Sequence, residues 1–437
     1  LGASEPAVRL LLSIFLVYPI ALFHRHLLYG KAPSIQHAYF ITTGLLITFW
    51  NYNLDIAHNV IAVLLTYGLV SFIGRTKYSI PISFSLNLGY LLLGYYYTSS
   101  NDYDIKWTMP HCILVLRLIG ITFDIYDGTF PEEKLSADNK KTALRKCPNL
   151  LEFSGFCFFP GGILIGPQFS MRRYLDFTEG KFRDGPNCIE PAIKRLSLGF
   201  LYVILFELGN MFVPDDYLLS DSFAERAFWQ RCFLLGLWGK ITLYKYISCW
   251  LFAEGACIMF GLTYNGKDEG GQVLWNGCEN VKLSVIENAT EFNHYIQSFN
   301  INTNQWVAQY IYKRLKFLGN RYISQICTLL FLAVWHGFHS GYYVCFAFEF
   351  MVMYMEKELK SILVGNEAFM NFIQIKGIDI LVYTILRLYA FVFMGWCLLP
   401  FAYLTFNRYW KIFGAVNYIG LIFFIPWPIY KPIIKLL

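Results

Sequence analysis

The chain has 437 residues, of which 56% are hydrophobic and only 15% charged, against roughly 45–50% apolar and about 25% charged in soluble domains. That much apolar surface cannot be hidden in one water-soluble core, so an integral membrane protein is expected. A net charge of +6 without a long basic run argues against a nucleic-acid function and for contact with anionic lipid or phosphate; no nucleic-acid module is visible.

Aromatic residues make up 19% of the chain, with 31 Tyr and 40 Phe, as expected of lipid-facing surfaces and interfacial belts. The 11 cysteines are scattered, without a C-x-x-C pair, so neither a zinc site nor a disulfide framework is indicated, and no metal is expected. The chain begins at Leu1 rather than Met, and its natural N-terminus is expected to lie upstream. Residues 8–23 are apolar without a small-residue cleavage site, which favours a retained first span over a signal peptide.

A spanning helix needs about 20 mostly apolar residues. Candidate spans fall near 8–28, 37–52, 56–74, 80–98, 109–125, 150–169, 193–213, 226–245, 247–264, 322–339, 341–356, 375–405 and 412–434. The fold class expected is all-α, a polytopic transmembrane bundle of about 11–13 spans or re-entrant segments. Phe159-Pro160-Gly161-Gly162 breaks one candidate, and such a break is tolerated at membrane depth only where backbone is buried or lines a cavity.

Three polar stretches, 126–149, 171–192 and 265–321, read as loops on the membrane surface. Positive-inside reasoning places the first and third toward the cytosol, where the sequon Asn288-Ala289-Thr290 would not be used. No internal repeat or separate soluble domain is visible, so residues 1–437 read as a single membrane-embedded domain, and the repeat architecture of secondary transporters has no support.

His336 ends an otherwise mainly apolar run in Phe331-Leu332-Ala333-Val334-Trp335-His336-Gly337-Phe338-His339. An ionisable group at that depth is a functional candidate. Burial would keep the imidazole neutral and able to accept a proton, which suits a general base; a core histidine with a satisfied hydrogen bond is the other reading. His339 could share either role and fits a structural one better.

A second constellation runs Ser298-Phe299-Asn300-Ile301-Asn302-Thr303-Asn304-Gln305-Trp306. Thr303 or Asn302 can cap the helix that follows. Asn300 then sits on irregular backbone, where its carboxamide could orient a base or stabilise an oxyanion; simple turn and cap chemistry is the alternative. Lys313, Arg314, Lys316 and Arg321 follow, and could hold the phosphates of a nucleotide-bearing substrate or anchor the next span. Lys240, Lys245, Glu207, Glu254 and Glu349 also fall in apolar stretches, where pairing across helices is expected.

Trp335-His336-Gly337-Phe338-His339-Ser340-Gly341-Tyr342 resembles the W-H-G-x-x-x-G-Y signature of the membrane-bound O-acyltransferase superfamily. Leu243-Tyr244-Lys245-Tyr246-Ile247-Ser248-Cys249-Trp250 is similar to its R-x-K-Y-Y-x-x-W block, and Gly166-Pro167-Gln168-Phe169-Ser170 to its earlier G-P segment. The Ser298–Trp306 block and Tyr264-Asn265-Gly266 resemble the lysophospholipid acyltransferase branch, in particular the type 3 lysophosphatidylcholine acyltransferases. Leu243 and Ile247 depart from the pattern, so no role is carried to them.

The resemblance implies a helical shell around a reaction chamber, entered by acyl-CoA from the cytosolic side and by the lipid acceptor from the bilayer. It implies His336 and Asn300 as catalytic residues and Trp250, Tyr246 and Asn304 as lining residues, with Trp335 beside the histidine and Lys313, Arg314 and Lys316 as candidates for the donor's phosphates. It further implies acyl-CoA as co-substrate with no tightly bound cofactor, a lysophospholipid acceptor, membrane lipids as surroundings and an endoplasmic reticulum location. An acyltransferase for a sterol, diacylglycerol or protein acceptor is an alternative, as is a non-enzymatic transporter with an intramembrane histidine.

Overall fold

The structure, a computed structural model, describes residues 4–100, 105–183 and 185–436. Ten helices of sixteen or more residues dominate it. They are α1 (Glu5–Phe23), α2 (Pro33–Tyr52), α3 (Ile56–Ile73), α4 (Ser79–Thr98), α5 (Thr108–Asp127), α6 (Ile189–Phe212) and α7 (Phe228–Phe260), then, after the seven-residue α8 (Ile301–Val307), α9 (Arg321–His336), α10 (Ser340–Val364) and α11 (Ile378–Tyr403). Among the described residues β structure amounts to two isolated bridges, Lys267 with Val273 and Val281 with Phe299. The all-α, multi-pass membrane architecture expected from composition is what the chain adopts. Glu5–Leu28, Pro33–Ile73, Thr108–Asp127, Ile189–Leu219 and Ile378–Tyr403 are long and apolar enough to cross a bilayer by length and composition.

The span list needs three corrections. The candidates 226–245 and 247–264 are one helix, α7, of 33 residues, because no Gly-Pro or cap signal interrupts the chain around Tyr246. At 1.5 Å per residue α7 is about 50 Å long, well beyond a hydrocarbon core of about 30 Å. The candidate 150–169 is a short helix, Leu150–Cys157, followed by turns and irregular backbone. The candidate 412–434 breaks into Phe406–Ala415, Ile419–Phe424 and Trp427–Leu436, with Asn417 and Tyr418 at φ of 54° and 52° and Pro426 without an N–H to continue a helix.

The chain forms two compact units, each built from separated segments. Unit 1 comprises Leu1–Phe200, Ser248–Asn280 and Asn300–Gly319; unit 2 comprises Leu201–Ile247, Val281–Phe299 and Asn320–Leu437. The core of unit 1 is rich in rings, with Phe40, Phe153, Phe156, Phe159, Tyr174, Phe177 and Phe260 all buried. That of unit 2 is centred on Trp238, Trp396, Tyr409 and Phe413.

Helix α5 is buried on nearly every side, as an all-round apolar helix should be, and it carries one cation. The Arg117 guanidinium, 2% exposed, donates to the carbonyls of Phe156 (3.1 Å), Gly162 (2.9 Å) and Pro167 (3.3 Å). The rings of Phe156 and Phe169 flank it at 5.3 and 4.9 Å. These bonds satisfy the backbone of the non-helical segment after Cys157, which has few partners of its own, and they are what lets irregular chain lie deep in the protein. The break at Phe159-Pro160-Gly161-Gly162 is thus buried in protein, as that reasoning requires.

The stretch 265–321 is corrected in its central part: residues 277–311 are packed into the protein, whereas 265–276 and 313–321 are half-buried to exposed, as a surface loop would be. It contains helices Leu283–Glu287, Phe292–Ser298 and α8, and Val281, Ile286, Phe292, Ile301, Trp306 and Tyr310 are buried. The stretch 126–149, by contrast, is largely exposed, with one short helix, Ala137–Thr142, capped by Ser136.

Candidate active site

In unit 2, α9 ends at His336 because Gly337 follows it at φ 126°, ψ −159°, a region essentially restricted to glycine. Four residues on, Gly341 donates its N–H to the Leu404 carbonyl at 2.9 Å. A Cβ at Gly341 would collide with the backbone carbonyls of Pro400 and Leu404, so the second glycine of the motif is there for close backbone approach. Tyr409 Oη donates to Ser340 Oγ at 3.2 Å, fixing the same turn.

This turn builds a cage of rings around the His336 imidazole. The centroid of Trp335 lies 4.6 Å away, Phe401 5.0 Å, Tyr342 5.3 Å and Phe346 5.7 Å. Trp335 is buried while His336 is half-buried, and its ring nitrogens bond to no other described residue. The tightly satisfied core histidine is therefore not what unit 2 contains. His339 stands just before α10 without a capping bond, its ring 6.0 Å from Tyr342.

In unit 1, Asn300 stands at φ 50°, ψ 44° immediately before α8, a left-handed conformation that costs most residues about 1 kcal/mol but that Asn tolerates. The cap expected at Asn302 or Thr303 is two or three residues late: α8 already starts at Ile301, with Asn300 at the cap position. Asn300 accepts the first intrahelical bond, from Asn304 N, at 3.1 Å through its carbonyl. Its side chain makes no capping bond and is bonded to no described residue.

The basic run lies just beyond α8. Arg314 forks onto Asp127, with one N–H···O distance of 2.9 Å, and sits 4.9 Å over the Phe123 ring. Lys313 pairs with Asp138, and Lys316 is exposed. Two of the three cations are thus partly neutralised within unit 1. Tyr310 Oη donates to Asp124 at 2.8 Å, holding the same turns against α5.

Tyr246 and Trp250 are both on α7, Tyr246 within unit 2 and Trp250 within unit 1. The Phe299 ring meets Tyr246 edge-on at 6.5 Å. Of the intramembrane charges expected to pair across helices, Glu254 and Lys240 do so, whereas Glu207 and Glu349 have no ion-pair partner among the described residues. Glu254 takes Arg195 at 2.7 Å in unit 1, and Glu287 takes Lys240 at 2.8 Å in unit 2. Among the described residues no group of three or more His, Cys, Asp or Glu could hold a metal ion.

Residues 92–399 match the membrane-bound O-acyltransferase family. The chain belongs to that family. It is also similar over nearly its whole length to proteins named lysophospholipid acyltransferase 5. It is 48% identical to that of Drosophila melanogaster, across 98% of this chain and 87% of the relative. It is 44% identical to that of Mus musculus and 42% to that of Homo sapiens, each across 97% of this chain and 88% of the relative. Family membership makes this membrane-bound O-acyltransferase an enzyme and removes the transporter alternative.

Sequence reasoning on this acyltransferase overlooked two residues that the structure makes prominent. Arg117, a lone cation inside an apolar run, carried a readable signal. Asn280 carried none, because its partners Ile301 and Asn302 lie far downstream and Glu254 far upstream of it.

Proposed function

We propose that the chain, acting as one membrane-embedded domain over residues 1–437, transfers a fatty acyl group from acyl-CoA to the free sn-2 hydroxyl of a lysophospholipid. Lysophosphatidylcholine is the chief acceptor, with lysophosphatidylethanolamine and lysophosphatidylserine also used, polyunsaturated acyl chains preferred and the endoplasmic reticulum membrane as the setting. The observation that carries this reading is the likeness, across 97–98% of the chain, to relatives named lysophospholipid acyltransferase 5.

His336 is the general base in this reading. A half-buried imidazole among four aromatic rings, with both nitrogens unengaged by described residues, is available to take the proton of the acceptor hydroxyl. That oxygen attacks the thioester carbonyl, the Asn300 carboxamide supports the developing oxyanion, and the C–S bond breaks as the new C–O ester bond forms. The thiolate of CoA leaves and recovers the proton from His336, so no cofactor enters the balance. Trp335, Tyr246, Trp250 and Asn304 line the path of the acyl chain and acceptor, and Lys313, Arg314 and Lys316 face the donor's phosphates. Exclusion of water, which would hydrolyse the thioester, is the task of the apolar surroundings.

The test is acyl transfer by the purified protein from labelled acyl-CoA to a panel of lysophospholipids, a sterol and diacylglycerol. Labelled phospholipid is the expected product, lost in His336→Ala and Asn300→Ala proteins that still elute as folded species. Label on sterol or diacylglycerol alone would overturn the acceptor assignment. Near-normal turnover by either variant would remove that residue from the catalytic pair.

A further inference from the structure

An asparagine directly before a helix ordinarily turns its side chain onto the next free backbone N–H groups and is occupied by them. Asn300 does not: of the two N–H groups such a cap ordinarily bonds, those of Asn302 and Thr303, the Asn302 one is already taken, as is that of Ile301. The carbonyl of Asn280 accepts from Ile301 N at 3.1 Å, and its side-chain Oδ1 accepts from Asn302 N at 3.0 Å. The Asn302 side chain is itself turned away, donating to the Cys278 carbonyl at 3.2 Å. With these groups matched elsewhere, the carboxamide of Asn300 is left unengaged while its backbone is held in the left-handed region.

Asn280 is itself fixed. It is 2% exposed, and its own N–H donates to Glu254 Oε1 at 2.7 Å. The other oxygen of that carboxylate takes Arg195 Nε at 2.7 Å, and the same guanidinium reaches Glu279 at 3.2 Å. The line Arg195, Glu254, Asn280 therefore runs inside unit 1 from α6 through α7 to the residue that holds the backbone just after Asn300, the proposed oxyanion donor. Strained backbone persists only where surroundings over-determine it, and it clusters at functional positions.

We propose that Asn280 is a positioning residue of this acyltransferase: it takes over the capping of the segment after Asn300 and so keeps the Asn300 carboxamide aimed and available for the reaction. This rests on the reading of Asn300 as catalytic. It assigns Asn280 no contact with substrate. Removal of its side-chain oxygen would leave the Asn302 N–H without its partner, and the Asn300 carboxamide would be drawn back to cap the helix in the ordinary way. The loss falls on kcat, because a small misplacement of a catalytic group lowers turnover without changing how the substrates are held.

The experiment compares kcat and KM for acyl-CoA and lysophosphatidylcholine in wild type, Asn280→Ala, Asn280→Asp and Asn300→Ala, all purified in the same detergent and checked by melting temperature. Asn280→Ala is expected to lower kcat about tenfold or more with both KM values unchanged. Asn280→Asp, which keeps an acceptor oxygen at the same place, is expected to recover most of it. Should Asn280→Ala fail to fold, Asn280→Ser, whose short hydroxyl does not reach as far, makes the same comparison with Asn280→Asp. Unchanged kcat in the truncated variant, a fall in kcat accompanied by raised KM, or no recovery by Asn280→Asp would overturn the proposal. Wild-type turnover by Asn300→Ala would instead overturn the reading on which it rests, whatever Asn280→Ala does.

Discussion

The ring of Phe401 meets the imidazole of His336 edge to face, 5.0 Å between centroids and with the planes at 83°. Such a contact is worth about 0.5–1.5 kcal/mol beyond the area it buries, and here it fixes a ring that has no hydrogen bond from another described residue to orient it. Phe401→Ala should therefore lower kcat by about three- to tenfold, following that range of energies, with Phe401→Tyr much less affected. Steady-state kinetics of the two variants at saturating acyl-CoA checks this, and equal activity in Phe401→Ala and wild type would remove the ring from the argument.

The two glycines flanking His339 make a prediction about stability. Gly337→Ala forces a side chain into backbone that costs about 1–3 kcal/mol. Gly341→Ala meets two backbone carbonyls that cannot give way. Gly341→Ala is expected to be the worse of the two, recovered in low yield and melting well below wild type. Thermal unfolding of the detergent-solubilised proteins distinguishes them, and a Gly341→Ala protein as stable as wild type would contradict the packing described.

The basic run after α8 should split into two behaviours. Asp127 is 1% exposed, so Arg314→Ala leaves an uncompensated buried carboxylate and should destabilise the protein by about 3–5 kcal/mol. Arg314→Lys should not restore it fully, because a lysine cannot reproduce the forked contact. Lys316→Ala should leave the melting temperature alone and raise KM for acyl-CoA several-fold at low salt, an effect that fades as salt screens the charge. Unchanged KM in Lys316→Ala would end its assignment to the donor's phosphates.

Arg117 should be the least replaceable charged residue of unit 1. Arg117→Met keeps bulk but strips the partners from the carbonyls of Phe156, Gly162 and Pro167, each lost partner costing about 1–3 kcal/mol when buried. Limited proteolysis is expected to cut this variant between Phe158 and Ser170, where wild type resists.

The features legible in the sequence were those with local causes. Helices α1 to α6 follow from mainly apolar runs, and His336 stood out because its flanks are apolar. The length of α7 was hidden because two adequate spans joined end to end look the same as one long helix when nothing breaks the chain between them. The burial of 277–311 was missed because its polar residues satisfy one another at long range. Asn302 bonds the Cys278 carbonyl, and Glu254 meets Asn280 and, far back, Arg195. Periodicity reads neighbours along a helix, and those bonds join residues that are neighbours only after folding.

The interleaving of the two units sets an order on biosynthesis. The last piece of unit 1, Asn300–Gly319, is made after two stretches belonging to unit 2, Leu201–Ile247 and Val281–Phe299. Until it emerges from the ribosome, Asn280 has no Ile301 or Asn302 to hold, and Asp127 faces no guanidinium from Arg314. The early helices must then wait in the bilayer with these polar groups unmatched. Unit 1 is therefore complete only when residues 300–319 have been made and released.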